Sequence, residues 1–351
     1  MRWLVAGGWW LAAGSWWLVV GVAHAPRRAA STLVSMPFLF ALCALSGCGK
    51  YRDFTLPEQP GGPSVTWQWQ ARAQPVMTRG NAGEWDAVDV LNPSVIRQGE
   101  AYYNFFSGYD GKTWHTGLAV SADGVSWRKE GKILSSAGNG SAIADNTGFE
   151  YYYQAGEPVQ IGLARSRDAK DWLRDAAPVL PVGPYGSWDE RGVADPYVIR
   201  AGSNYYMFYL GMDRAQRQRL GVATSDDGVK WYKLRTNPIL ELGDYDAFDA
   251  NGLGEPAVWV ARGYYWMLYT GRDHGEMRRL GLARSRDGVR WEKLPVVIAG
   301  DQAWDSKVIC DPTVIAHGDR VTVWFGGGDV PRPDQNIDGQ IGLATLTAEK
   351  N

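Results

Sequence analysis

"GLARSRDGVRW", residues 281–291, is one of five copies of a short pattern in this 351-residue chain. The other copies are "GLAVSADGVSW" (117–127), "GLARSRDAKDW" (162–172), "GVATSDDGVKW" (221–231) and a shortened "GLATLTAEK" (342–350). They recur about every 60 residues, with a shorter interval between the first two. A pattern that returns at such a period indicates repeats of one supersecondary unit.

Each repeat has the pattern of four short strands. In "VADPYVIRAGSNYYMFYLG" (193–211), an apolar strand follows Asp-Pro, and an aromatic strand follows a glycine-containing turn. "LGVATS" predicts a third strand, and the Asp-Gly turn after it predicts a hairpin into a fourth. Four-stranded antiparallel units repeated around an axis form a β-propeller. We therefore predict an all-β fold, a five-bladed β-propeller over residues 85–345, with an extra ring-closing strand from residues 67–80.

The composition is that of a folded chain without a nucleic-acid partner. It is 45% hydrophobic and 21% charged, so a sizeable core is expected. The net charge of −2 offers no basic surface for DNA or RNA. The 18 Trp and 17 Tyr residues suit both a β-rich fold and a carbohydrate-binding cleft. We expect a monomer.

The N-terminal 48 residues are predicted to be an export segment. Leu45-Ser46-Gly47-Cys48 resembles a bacterial lipobox, which implies lipidation of Cys48 and a lipoprotein in the outer membrane or periplasm or at the cell surface. Two alternatives remain for residues 1–23, namely a membrane helix or a start codon placed too far upstream. Residues 49–66 are predicted to be a flexible tether, and residues 67–351 the propeller domain.

Neither a disulfide framework nor a metal site is predicted. Removal of the signal and lipidation of Cys48 leave Cys310 alone, and we interpret it as a packing residue. The four histidines are scattered along the chain, at positions 24, 115, 274 and 317. We expect no cofactor, although a structural cation in the channel stays open.

Four residues that precede proline define the candidate site. They start the first strands of their repeats, so they are expected to ring one mouth of the central channel: Asn92, Asp195, Glu255 and Asp311. Aromatic faces stack on sugar rings, so a group of residues in nearby loops is predicted to bind substrate together with Asn92 and Asp311: Tyr109, Trp114, Tyr185 and His274.

Features that recur in most of the repeats are interpreted as architecture. They include the Ser-x-Asp-Gly turns and the pairs Trp85-Asp86, Trp188-Asp189 and Trp304-Asp305, with Tyr245-Asp246 at the corresponding place in repeat 4. Asp145 is interpreted as a turn former. Glu255 departs from the repeat, because it is the one glutamate at this position of the repeats and is interpreted as following a three-residue insertion.

With these residues the chain resembles the five-bladed propeller glycosidases, glycoside hydrolase families 43, 32 and 68. The resemblance covers all five repeats and implies hydrolysis of O-glycosyl bonds in oligo- or polysaccharides. It implies that Glu255 is the general acid and that Asp195 tunes it and orients the substrate. Asn92 stands where these families have their first Asp.

Asn92 is the departure that matters for chemistry. Glycoside hydrolysis uses two carboxyl groups, and an amide offers no basic oxygen near neutral pH. Asp89 is the tentative replacement base, and Asp311 is a lesser candidate. Alternatively, the chain resembles the family 130 mannoside phosphorylases, which also have Asn-Pro here, and phosphate would bind to Arg272, Arg278 and Arg279. In a third reading the domain binds glycans without cleaving them.

Overall fold

The computed structural model describes residues 50–350, apart from the side chain of Lys350, and this part of the chain is nearly all β. Residues 1–48, with the predicted export signal and Cys48, lie outside the described residues. Within residues 50–350, no helix is both long enough and apolar enough to span a membrane.

The strands follow the repeats predicted from the sequence. The chain begins with β1 (Tyr51–Arg52) and β2 (Val65–Ala71). Repeat 1 contains β3 (Asp89–Gln98), β4 (Ala101–Tyr109), β5 (Trp114–Ser121) and β6 (Arg128–Ser135). Repeat 2 contains β7 (Gly138–Asp145), β8 (Gly148–Ala155), β9 (Gln160–Ser166) and β10 (Leu173–Arg174).

Repeats 3 to 5 have the same order. Repeat 3 contains β11 (Gly192–Ala201), β12 (Asn204–Met212), β13 (Gln218–Ser225) and β14 (Tyr232–Leu234). Repeat 4 contains β15 (Gly252–Ala261), β16 (Tyr264–Arg272), β17 (Arg278–Ser285) and β18 (Glu292–Ile298). Repeat 5 follows a 3-10 turn (Ala303–Asp305) and contains β19 (Val308–His317), β20 (Arg320–Gly328) and β21 (Gln340–Lys350).

The first strands of the repeats contact one another in cyclic order. β3 contacts β7, β7 contacts β11, β11 contacts β15, β15 contacts β19, and β19 contacts β3 again. Repeats 1, 2 and 3 form separate sheets, whereas one parallel pair, Arg278 with Val308, joins repeats 4 and 5 into one sheet. β2 pairs antiparallel with β21 and completes repeat 5, which confirms the predicted extra strand for residues 67–71.

The repeated marker forms a tight turn, as predicted. In repeat 4 the Ser285 Oγ accepts the Gly288 N–H at 2.9 Å, and Asp287 Oδ1 accepts the N–H groups of Val289 and Arg290. Gly288 has φ +71°, which glycine adopts without steric cost. The Trp291 indole N–H then donates to the Gly288 carbonyl at 3.0 Å. The marker is therefore architecture.

Buried aspartates anchor the loops that lead into the repeats. Asp249 is 2% exposed and accepts a hydrogen bond from Lys293 Nζ at 2.5 Å, and repeats 1 and 3 have the same pair in Asp86–Lys129 and Asp189–Lys233. In repeat 4 this position is therefore Phe248-Asp249. The assignment to Tyr245-Asp246 is wrong, and with it the predicted three-residue insertion. Phe248-Asp249 precedes Glu255 by the same interval as Trp188-Asp189 precedes Asp195, and Tyr245 is 77% exposed.

The predicted flexible tether over residues 49–66 is corrected by the structure. Leu56 is 1% exposed and packs among Tyr206, Tyr265 and Met267, between repeats 3 and 4. Backbone hydrogen bonds of 2.8 Å join this segment to Asp287, Arg286 and Gly263. The polar, proline-rich composition masked the one leucine that fills the crevice.

Leu56→Ala tests this docking. Removing a buried leucine costs about 2–5 kcal/mol of unfolding free energy, so the urea midpoint is expected to fall clearly. Leu173→Ala is the matched control, because Leu173 is 77% exposed and its loss should change stability by less than about 0.5 kcal/mol. Equal midpoints for the two variants would mean that the segment is not docked in solution.

Candidate active site

Five equivalent backbone bulges surround the channel. Each first strand slips its register once, and the residue at the slip has positive φ: Asn92 (49°), Asn139 (41°), Asp195 (49°), Glu255 (51°) and Asp311 (51°). Left-handed φ is uncommon for side chains other than Asn and Asp, and bulges of this kind re-aim side chains next to active sites. The bulges therefore present one polar side chain from every repeat.

Hydrogen bonds between successive bulges link the ring. Asp195 Oδ2 accepts the Glu255 N–H at 3.1 Å, and Glu255 Oε2 accepts the Asp311 N–H at 3.2 Å. Asp311 Oδ2 accepts the Asn92 N–H at 3.1 Å. Asn139, on the bulge of repeat 2, is linked to the bulge of repeat 3, because its Nδ2 donates to Asp195 Oδ1 at 2.5 Å. The acids thus hold neighbouring repeats together besides facing the channel.

A cavity of about 1100 Å³ opens at this mouth of the channel. All five bulge residues line it. Further polar lining comes from residues that sequence reasoning did not single out: Lys112, Gln154, Glu157, Gln216, Gln218 and Asp334. The cavity is large enough for a sugar oligomer and has convergent polar groups, which is typical of a binding site.

The predicted aromatic residues divide into two groups. Trp114 lines the cavity, and the buried Tyr109 stacks behind it with ring centroids 4.9 Å apart. Tyr185 and His274 do not line the cavity. Tyr185 is 84% exposed, and His274 stacks on Tyr245 with centroids 4.6 Å apart. The loops that carry them were assigned to the correct face, but the side chains point outward.

Asp89 is not placed to act as a base, and that prediction is corrected. Its side chain is fully buried and accepts three backbone N–H groups, from Asn336 (2.6 Å), Ile337 (3.1 Å) and Gly339 (2.8 Å). It lies outside the cavity lining. Asp89 therefore anchors the 336–339 loop, a role that its short distance from Asn92 in sequence does not reveal.

Two of the three arginines named from the sequence line the cavity. Arg272 and Arg278 stand directly opposite each other on β16 and β17, whereas Arg279 lies outside the lining and pairs with Asp273 at 3.0 Å. The Arg278 side chain is 8% exposed, and within residues 50–350 it donates one hydrogen bond, to the Arg332 carbonyl, and forms a 3.9 Å ion pair with Asp334. Most of its donors therefore remain available to a ligand.

Burial makes two of the ring acids weak. Desolvation, reinforced by the charge of Glu255, raises the pKa of Asp195 and of Asp311 well above the usual range of aspartate. Arg278 acts in the opposite direction on both groups. The two acids differ in contacts, because both Asp195 oxygens accept hydrogen bonds, while Asp311 Oδ1 is buried and unpartnered among the described residues.

Within residues 50–350, one group of side chains has metal-ligand spacing. The group consists of one carboxylate oxygen each from Glu255 and Asp311 and the Cys310 Sγ, and these atoms lie within 4.8 Å of one another. Burial and the charge of Asp311 raise the pKa of the Cys310 thiol well above its usual range, which keeps it protonated. The neighbouring Arg278 also disfavours a cation. The cluster suits a shared proton better than a metal, and Cys310 packs as predicted.

Comparison with known proteins places this geometry in context. The model of the glycosyl hydrolases family 32 N-terminal domain matches residues 149–303. A solved glycosyl hydrolase from Bacteroides ovatus superposes with a TM-score of 0.63 at 14% identity, covering 85% of this chain and 96% of that one. Solved family 43 and family 32 enzymes also match. The fold is that of the propeller glycosidases.

Two sequence relatives match part of the chain. An uncharacterized protein of Mycobacterium tuberculosis is 31% identical over 160 residues, which are 43% of this chain and 52% of that protein. A 1,2-beta-oligomannan phosphorylase of Thermoanaerobacter sp. is 24% identical over 176 residues, which are 48% of this chain and 58% of that protein. The chain thus spans little more than half the length of the curated relatives it matches.

Asp311→Asn tests the protonated state of Asp311. A raised folded-state pKa contributes stability below the unfolded pKa of about 3.9, and that contribution is lost as pH rises through the folded value. The amide introduced by Asp311→Asn cannot ionise, so the variant does not lose this stability. The unfolding free energy of Asp311→Asn minus that of the parent should therefore rise between pH 4 and pH 8, by about 1.4 kcal/mol for each unit by which folding raises the pKa of Asp311.

Urea unfolding across that pH range measures the difference. Asp171→Asn, which changes an exposed carboxylate, is the control and should follow the parent at every pH. A constant difference between Asp311→Asn and the parent would contradict a raised pKa at Asp311.

Proposed function

We propose that the chain is a glycoside hydrolase-like enzyme that acts on oligo- or polysaccharides at the channel mouth. The observation that carries the proposal is the pair Asp195 and Glu255 on the wall of the 1100 Å³ cavity that Trp114 also lines. The backbone N–H of Glu255 donates to Asp195 Oδ2 at 3.1 Å and so holds the two residues together. The five repeats, with first strands in cyclic contact, are read as the blades of a five-bladed propeller around this site. The glycosidase fold supports the same activity.

Glu255 is the proposed general acid. Its Oε2 accepts the Asp311 N–H at 3.2 Å, which fixes the carboxyl group against the channel wall. In its protonated form, this carboxyl group donates its proton to the glycosidic oxygen of a sugar held against Trp114, and the leaving sugar takes that proton. Asp195 is held on both oxygens and therefore orients Glu255 and binds substrate hydroxyls. Asn92 supplies amide hydrogen bonds to the same sugar.

Asp334 replaces Asp89 as the proposed base. It lines the cavity, its side chain is 79% exposed, and it lies 3.9 Å from Arg278. An ionised carboxylate with access to water is what activation of a nucleophilic water requires.

Phosphorolysis is the second candidate function. It is supported by Arg272 and Arg278, two neighbouring guanidinium groups on the cavity wall of repeat 4. The equivalent pair in repeat 3 is Met212 and Gln218, so the charge is specific to one repeat. Inorganic phosphate held by these arginines would attack the anomeric carbon in place of water.

Glu255→Gln tests the general acid. Release of sugars from arabino-, xylo-, fructo- and manno-oligosaccharides, with and without phosphate, should fall at least 100-fold, because general acid catalysis contributes about that much. Glu292→Gln is the control, since Glu292 belongs to the same repeat but is 61% exposed at its ion pair with Arg284. Full activity of Glu255→Gln would remove Glu255 from the mechanism. Sugar binding without turnover in both proteins would favour a glycan-binding protein instead.

Arg278→Ala separates the two reactions, with Arg279→Ala as a neighbouring control outside the cavity. In phosphorolysis, the KM for phosphate should rise at least tenfold in Arg278→Ala and stay unchanged in Arg279→Ala, because a charged hydrogen bond is worth about 1.5–3 kcal/mol. In hydrolysis, phosphate affects neither variant. Equal effects of the two substitutions would contradict a phosphate site at Arg278.

The proposed enzyme is exported and anchored to the membrane by lipid at Cys48. The support is the lipobox-like sequence "LSGC" before a short polar stretch. Metabolic labelling with palmitate in a bacterial host tests this, because Cys48→Ser should abolish incorporation while Cys310→Ser should not. Labelling that survives Cys48→Ser would contradict the anchor.

A further inference from the structure

Two exposed tyrosines occupy equivalent positions in adjacent repeats. Tyr185 is 84% exposed and Tyr245 is 77% exposed. Each stands three residues before the aromatic residue that packs on the second strand of its repeat, Trp188 against Gly211 and Phe248 against Gly271. The two rings therefore come from the same loop position in repeats 3 and 4.

Each tyrosine is held by a residue of the neighbouring loop. The Arg214 guanidinium lies 4.0 Å from the ring centroid of Tyr185, and Glu190 fixes that guanidinium through two hydrogen bonds of 2.9 and 3.1 Å. Tyr245 packs on His274 with a centroid distance of 4.6 Å and an interplanar angle of 34°. One ring face is covered in each case, so the large exposure belongs to the other face. The rings are ordered before any ligand arrives, which lowers the entropy cost of binding.

We call Tyr185 with Arg214 and Tyr245 with His274 the two tyrosine platforms, and both include a residue close in sequence to cavity-lining residues. Arg214 lies between Met212 and Gln216 in sequence, and both of these residues line the cavity. His274 likewise lies between the cavity residues Arg272 and Arg278. Each tyrosine thus contacts a loop that also contributes residues to the cavity wall.

We propose that Tyr185 and Tyr245 form an outer glycan-binding surface that holds sugar units of a polysaccharide extending beyond the cavity. This inference rests on the proposed function and specifies its substrate as a polymer rather than a short oligosaccharide. Stacking needs an exposed aromatic face against the C–H face of a sugar ring, which each platform offers.

The surroundings favour a glycan over an apolar protein partner. Charged residues accompany both rings. Arg214 and Glu190 lie at Tyr185, and the exposed Asp244 and Asp246 are the chain neighbours of Tyr245. An apolar partner requires a contiguous apolar patch, whereas a sugar chain needs repeated single rings with polar groups between them. Equivalent positions in consecutive repeats supply that repetition.

Affinity gel electrophoresis of the full chain in arabinan, xylan, levan and β-mannan tests the proposal. At least one polymer should retard the parent chain, and Tyr185→Ala/Tyr245→Ala should weaken that apparent affinity at least tenfold. Leu173→Ala, which removes another highly exposed apolar side chain in repeat 2, should behave like the parent. Calorimetric affinity for the matching trisaccharide should be unchanged in the double variant, because the cavity is intact.

Several results would overturn the proposal. They are retardation of the double variant equal to the parent, an equal loss of trisaccharide affinity, or no retardation of the parent by any of the four polymers. Glu255→Gln separates this test from the proposed function, since it should lose turnover and keep polymer retardation. If the double variant loses retardation while no protein turns over substrate, the surface stands and the enzymatic function fails.

Discussion

The hydrogen bonds between successive bulges are the interaction on which the rest of the structure depends. A side chain of one repeat accepts the backbone N–H of the next in the steps Asp195–Glu255, Glu255–Asp311 and Asp311–Asn92. These bonds satisfy N–H groups that the bulges remove from the strand ladders, at a place where an unpaired donor would be costly. They also fix where each side chain faces the cavity.

This arrangement gives the carboxyl groups a structural and a chemical role at once. Holding left-handed φ at five positions costs of order 1–3 kcal/mol each, and such strain persists where the surrounding structure imposes it. The same crowding removes water from Asp195 and Asp311 and raises the pKa of both. Acids recurring at the bulges therefore need not all be catalysts, and the proposed chemistry is assigned to the residue that differs between repeats.

The repeat pattern made most of the fold predictable, because each marker encodes a turn with its own hydrogen bonds. The ring position of Asn92, Asp195, Glu255 and Asp311 also followed from topology, since the starts of first strands share one face. Asn139 was missed because Gly140 replaces the proline that identified the other bulges. The register in repeat 4 was misassigned because Tyr245-Asp246 resembles the Trp-Asp pairs more than Phe248-Asp249 does, which suggested an insertion that the aligned repeats 3 and 4 do not contain.

Other parts of the site depend on long-range contacts that a sequence does not display. Asp89 is close to Asn92 along the chain, yet it turns away to bind the 336–339 loop. Asp334 reaches the cavity from a loop without a repeat signature. Leu56 docks between repeats 3 and 4 from a stretch whose composition is that of a linker. In each case a distant partner decides the role of the residue.

The central claim is that the residue on each bulge decides the chemistry of a common scaffold. The substitution Asn92→Asp tests this, because it adds a carboxylate at a position where the backbone φ, 49°, equals that of Asp195. The measurement is the rate of phosphate-independent sugar release by the folded variant and the parent. We expect this rate to be at least tenfold higher in Asn92→Asp than in the parent. A folded variant with an unchanged rate would contradict a chemical role for the bulge residue.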